Sequence, residues 1–178
     1  MRRIASAALA TAVLGAGTVV LAATPASAHP DCESNHYYYA ISGKKTVWKA
    51  TNVHSDWARK GVTISYAKNK TGTWTATGTA TVGADAGVIF AKVSTSFSVS
   101  VGKSWAKSDT WTYSATVGKP PAGKSKGRLM MYHEAKGFTV TKYHYLPNST
   151  SCYKSNVYKK SGTAPVKRNN NLWAIQYS

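Results

Sequence analysis

At 178 residues the chain has material for one buried core and not for two large domains. Lys and Arg number 23 against six Asp and Glu, a formal charge of +17, so partners are expected among anions, and a hydrolase built on paired carboxylates has few acids to draw on. Two cysteines, Cys32 and Cys152, make half a zinc site at best and lack a C-x-x-C spacing.

Arg2 and Arg3 precede an apolar run from Ile4 to about Leu21, and "ATPASA" then ends in small residues. That is the pattern of a signal peptide over residues 1–28, with cleavage expected between Ala28 and His29. The expected product is exported, spans residues 29–178 as a single all-β domain, and keeps 21 basic against 6 acidic side chains, a formal +15. Two lone cysteines outside the cell are expected to form one disulfide, Cys32–Cys152. Closing so long a loop stabilises by about 4 to 5 kcal/mol in the chain-entropy model.

After "HYYYA", the segment "KTVWKATNVHSDWARKGVTISYA" reads as strand, turn, strand, with Val62, Ile64 and Tyr66 on one face. "KNKTG" reads as a polar turn. "TWTATGTATVG" reads as a two-faced strand: every odd residue from Thr71 to Thr81 is threonine, opposite Trp74, Ala76, Gly78, Ala80 and Val82. "VGADAG" punctuates. The stretch "AKVSTSFSVSVGKSWAKSDTWTYSATV", Ala91 to Val117, then alternates Val93, Phe97, Val99, Val101, Trp105, Trp111, Tyr113, Ala115 and Val117 with serines and threonines. A period of two belongs to a strand with one apolar and one wet face. One strand from Val88 to Val117 would run near 100 Å at about 3.3 Å per residue, so two long antiparallel strands are expected, turning among "GKS" and "AKSD". "GKPPAGKSKG" is a turn, "RLMMYHEAKGFTVTKYHYL" resumes β-structure with a break expected at Lys136-Gly137, and "PNSTS" closes it. Tyr153, Val157, Tyr158, Leu172, Trp173, Ile175 and Tyr177 mark the tail. No helical period stands out after the signal segment. The expected fold is all-β, an elongated antiparallel sheet or sandwich of long Ser/Thr-rich strands.

The carboxylates Asp31, Glu33, Asp56, Asp85, Asp109 and Glu134 show no spacing that sets two acids across a substrate, and no G-x-S-x-G is present. Cleavage before His29 would put a free amino group and an imidazole on one residue, which with His36, His54, His133 or His144 has the donors for Cu(II). The residues that follow such a histidine in copper polysaccharide monooxygenases are absent, so neither metal nor cofactor is expected, and the protein is read as a non-enzyme. Lys124, Lys126, Arg128, Lys159, Lys160, Lys167 and Arg168 are taken as an anion- or partner-binding surface. No nucleic-acid-binding module is recognisable. Asn69-Lys70-Thr71 and Asn148-Ser149-Thr150 match the glycosylation sequon and are read as turns.

The order "TNVHSDWARKGVTISYA", a threonine-rich strand, the Ser/Val alternation, "SDTWTYSATVGKPPAGKSKGRLMMY" and "TVTKY" resembles the elongated β-module of aerolysin-type pore-forming toxins, over about Thr51 to Tyr145. The resemblance implies long, twisted strands around an amphipathic insertion segment, here Val93, Phe97, Val99, Val101, Trp105, Trp111 and Tyr113, able in principle to join a barrel with its hydroxyls inward and its apolar side to lipid. Lys103, Lys107 and Asp109 share the apolar parity, which favours a permanent sheet. The implied function is that of a secreted subunit or adaptor in an antibacterial toxin assembly, of the kind found in umbrella-type toxin particles, with other subunits or a second copy as partner. An autonomous pore former at an anionic membrane and a carbohydrate- or cell-wall-binding module are the alternatives.

Overall fold

The computed structural model describes residues 32–178; the expected signal segment, its cleavage site and His29 lie outside the described residues. The elements in chain order are β1 (Tyr38–His54), β2 (Ala58–Arg59), β3 (Thr63–Thr75), a 3-10 turn (Thr79–Thr81), helix α1 (Ala86–Phe97), β4 (Ser104–Thr116), β5 (Lys126–Pro147), β6 (Cys152–Pro165) and β7 (Asn171–Tyr177). Strands dominate and every pairing is antiparallel, so the all-β class expected from the sequence is the one found.

β5 is the spine. Along one side run β1, from Tyr38 opposite Tyr143 to His54 opposite Met130, and then β2. Along the other run β6, from Pro165 opposite Ala135 to Cys152 opposite Pro147, and then β7 from Asn171 to Tyr177. The expected break at Lys136-Gly137 does not occur, because Gly137 is paired on both sides, with Lys45 and with Thr163. β3 and β4 form a separate two-stranded sheet.

Alternate side chains of β5 point to opposite faces, and each face carries its own core. Phe138 and Val140 join Ala80, Ile89, Val93, Val101, Ala164 and Val166 under α1. Leu129 and Met131, of the other parity, join Val53, Tyr66, Trp105 and Trp111 under the β3–β4 hairpin. Two glycines let these layers close. A Cβ on Gly72 would stand 2.8 Å from Met131 Cε, and one on Gly162 would stand 2.8 Å from Thr81 Cγ2. The chain changes face at the edge of β6, where Thr77 bridges Thr163 on the way out and Val101 bridges Val166 on the way back. Residues 76–103, with α1 among them, are therefore an insertion between the two strands of the hairpin.

The alternating stretch Ala91–Val117 is not strand throughout. It is helix to Phe97, irregular through residue 103, and strand only from Ser104. Ile89, Val93 and Phe97 are four apart, a spacing that satisfies a period of two and one turn of helix equally. Ser, Thr and Val are weak helix formers, so burial of Ile89 and Val93 against the sheet decides the outcome. The helix ends at Ser98, whose left-handed backbone (φ 53°) sends its amide to the carbonyls of Ser94 and Thr95. A glycine usually marks that position, and serine hides it.

Three further expectations shift for related reasons. "KNKTG" is not a turn but the middle of β3, where Lys68 to Gly72 pair with Trp111 to Lys107. "AKSD" is likewise mid-strand, and the Asn69 sequon therefore lies in β3. The threonine-rich strand stops at Thr75, because Gly78 (φ 100°) and the 3-10 turn redirect the chain. The Asn148 sequon is a turn as expected, with Asn148 Oδ1 accepting from the amides of Thr150 and Ser151. Cys32 and Cys152 are bonded across 120 residues, with their Cα atoms 5.7 Å apart.

Candidate functional site

The β3–β4 hairpin turns an uncharged face to solvent, made of hydroxyls, the Asn69 amide and the alanines Ala67 and Ala106. All seven outward residues of β3, from Thr63 to Thr75, are exposed, as are all seven of β4, from Ser104 to Thr116. Facing hydroxyls bond across the strands: Thr63 to Thr116 at 2.8 Å, Ser65 to Ser114 at 3.3 Å and Thr71 to Ser108 at 2.6 Å. The other face holds Tyr66, Trp105 and Trp111 against the sheet, together with Lys107 and Asp109, which pair at 2.8 Å. Lys107 also lies 5.7 Å from the centroid of the Trp111 ring.

The residues expected to form one amphipathic segment are thus divided. Val93 and Val101 are buried in the helix-side core, with Phe97 and Val99 packed partly against it. Trp105 and Trp111 are buried in the hairpin-side core. Tyr113 is 41% exposed and stacks on Trp173 at 5.4 Å.

At the opposite end of the sheet a second constellation forms, one that sequence reasoning missed. Tyr39, Lys142 and Tyr158 are cross-strand neighbours on β1, β5 and β6, so they share a face. Asp85, at the start of α1, drops onto this row: it accepts from Tyr158 at 2.7 Å, Tyr39 at 2.9 Å and Lys142 at 3.0 Å. The hydrogen bond from Tyr158, then those from Lys142 and Tyr39, hold the Asp85 carboxyl at about 2. Burial, and then the bond to Asp85, push the Tyr158 hydroxyl well above its ordinary value. Lys142 also sits 4.3 Å from the centroid of the Tyr37 ring, which stacks on His144. A groove of about 490 Å³ opens beside this row, between Tyr38 and Tyr143 on the sheet, Tyr37 just before β1, and Val88 and Lys92 on α1. The only sequence signal for it was "HYYYA" together with an Asp in a chain so poor in acids.

The expected basic surface is not one surface. Lys124, Lys126 and Arg128 lie at one end of the sheet, where Lys126 lines a groove of about 550 Å³ with Arg59 and Lys60. Lys159 and Lys160 lie on β6, Lys160 being 4.3 Å from the Tyr158 ring centroid. Lys167 and Arg168 belong to the β6–β7 turn, and Arg168 is committed to Glu134 at 2.8 Å. Burial alone would push Glu134 up, but Lys136, Arg168 and Asn170 outweigh it and hold the carboxyl at about 2. Beside it, buried His133 stacks on Trp105 at 4.0 Å and bonds to Asn171 Oδ1 and to the Val166 carbonyl.

Among the described residues, no group of three or more His, Cys, Asp or Glu could hold a metal ion. Glu33, Asp85, Asp109 and Glu134 each accept from donors of this same chain. No helix among the described residues is long and apolar enough to cross a membrane. Comparison with known protein families, characterised proteins and solved structures gave no match to this chain.

Proposed function

We propose that the chain is a secreted, basic, non-enzymatic β-protein that acts by association, as an adaptor subunit of a toxin-type assembly built around an aerolysin-like module. The observation that carries this reading is the division of the amphipathic segment. Its apolar residues Val93, Val101, Trp105 and Trp111 are consumed by two separate cores, while the hydroxyl side of the hairpin stands open along its whole length. Releasing the segment into lipid would dismantle both cores, at roughly 1.5 to 3 kcal/mol for each large side chain uncovered. A surface for other proteins asks for no such rearrangement.

The test has two arms. Dye-loaded anionic vesicles exposed to the exported protein should retain their dye, and protein recovered from its own culture fluid should be bound to at least one other polypeptide besides this chain. Dye release with a monomeric soluble form sinks the reading in favour of an autonomous pore former. A second reading, wall-polymer binding, draws on the groove between Tyr37 and Lys92, where an exposed ring beside ammonium groups suits an anionic sugar. Co-sedimentation with insoluble cell-wall polysaccharide, lost in Tyr37→Ala, would favour it.

A further inference from the structure

Both edges of the two-stranded hairpin lack a strand neighbour, but only one is covered. At the β3 edge the Asn52 side chain stands in for a strand, donating to the Thr71 carbonyl at 3.0 Å and accepting from the Thr73 amide at 2.7 Å. Those bonds fix the geometry: odd residues of β3 turn their backbone groups away from β4, so their partners, the even residues of β4, turn theirs away from β3. From Ser104 to Thr116 none of these outward groups meets another strand, and the Thr110 amide alone is occupied, by the carboxylate of its neighbour Asp109. A 13-residue edge of this kind is a template for strand addition.

The charges on β4 choose the occupant. Antiparallel self-pairing centred on Lys107 sets two lysines opposite one another, and centring on Asp109 sets two aspartates opposite. Centring on Ser108 sets Lys107 opposite Asp109 of the second copy, twice, at the closely spaced pairs where side chains approach best. The same register places Ser104 opposite Thr112 and Ala106 opposite Thr110, all with their bonding groups facing outward, for about eight ladder hydrogen bonds and two more once each Asp109 carboxylate leaves its Thr110 amide for the facing Lys107. We propose that two copies of this chain pair through the free edges of β4, antiparallel about Ser108, so that each Lys107 meets the other copy's Asp109 and the two hydroxyl faces merge into one four-stranded surface. This rests on the reading that the protein acts by association, and it names a second copy as one partner.

Light scattering on the purified, disulfide-bonded exported protein tests the pairing. The expected mass is twice that of one chain. Ser108→Pro removes the central outward amide without touching the β3–β4 ladder and should halve the mass. Asp109→Lys should do the same by facing lysine with lysine, and Lys107→Asp/Asp109→Lys should restore the doubled mass, which keeps the test open should the proline variant fold poorly. The register has its own readout. Ser108→Cys should cross-link to its twin on oxidation, since facing Cα atoms about 5.5 Å apart suit a disulfide. Ala106→Cys should not, its twin being about 13 Å away along the strand. A single-chain mass for the wild type, an unchanged mass in both Ser108→Pro and Asp109→Lys, or equal cross-linking at 106 and 108 overturns the pairing. A wild type that is single on its own yet bound to another polypeptide in culture fluid overturns the pairing and leaves the association reading standing.

Discussion

Replacing Glu134 with Gln keeps the shape of the side chain and removes only its charge. The Glu134 side chain is 4% exposed and that of Lys136 10%, and their charged atoms lie 2.5 Å apart. After the substitution Arg168, at 60% exposure, can turn to water, whereas the buried Lys136 ammonium keeps neutral partners alone, among them the Thr46 hydroxyl at 2.7 Å and the Phe97 ring at 5.4 Å. The loss is therefore that of an uncompensated buried charge, about 3 to 5 kcal/mol. With an unfolding entropy of about 2.1 cal/mol/K per residue over roughly 150 residues, Tm should fall by about 10 to 16 °C. Calorimetry at pH 7 reads this directly. The double variant Glu134→Gln/Lys136→Met should regain most of the loss, because the stranded charge is gone and the stem still packs. A Tm shift of only a degree or two in the single variant, or a double variant no more stable than the single, refutes the assignment of Glu134 as the counter-charge that keeps Lys136 inside.

Acid should act through the same group and through Asp85. Both carboxyls are held at about 2 in the fold, below their ordinary values, so the stability they contribute is full above about pH 4.5 and drains away as pH falls through 2; a Tm-against-pH curve flat below pH 4 would contradict this. Replacing Cys32 and Cys152 with serine should cost about 4 to 5 kcal/mol in the chain-entropy model and loosen the Tyr37–His144 stack first, leaving β5 and its neighbours protected in hydrogen exchange. Val93→Lys places an ammonium in the core beneath α1 and should unfold the protein, seen as loss of the cooperative thermal transition; a folded variant would mean that α1 is peripheral. Gly162→Ala should cost about 1 to 3 kcal/mol, since the new methyl would meet Thr81 at 2.8 Å, and an unchanged Tm would show that the 3-10 turn yields.

What the sequence made legible was what alternation and punctuation encode. "SDTWTYSAT" alternates and lies in β4, "GKPPAGKSKG" holds a turn, and the two lone cysteines pair. Alternation failed where its spacing coincided with that of a helix, at Val93 and Phe97, and punctuation failed where Asn, Lys and Gly sit in the middle of β3 because β4 pairs with the strand on one side and the Asn52 side chain bonds it on the other. Gly72 in that strand signals the close approach of Met131 and Trp105, a contact that no local pattern announces. The Asp85 row was out of reach for a different reason. Tyr39, Lys142 and Tyr158 come together only once the registers of β1 and β6 on β5 are known, and the carboxylate that joins them arrives on a helix that the sequence pattern concealed.

That this protein works by joining other proteins is tested most directly by the native mass of the chain as recovered, unreconstituted, from the culture fluid of the cells that make it. The account predicts an assembly of fixed stoichiometry that contains at least one other exported polypeptide besides this chain. A species made only of this chain, as a monomer or a pair, in fluid where its secreted neighbours are abundant, would contradict it.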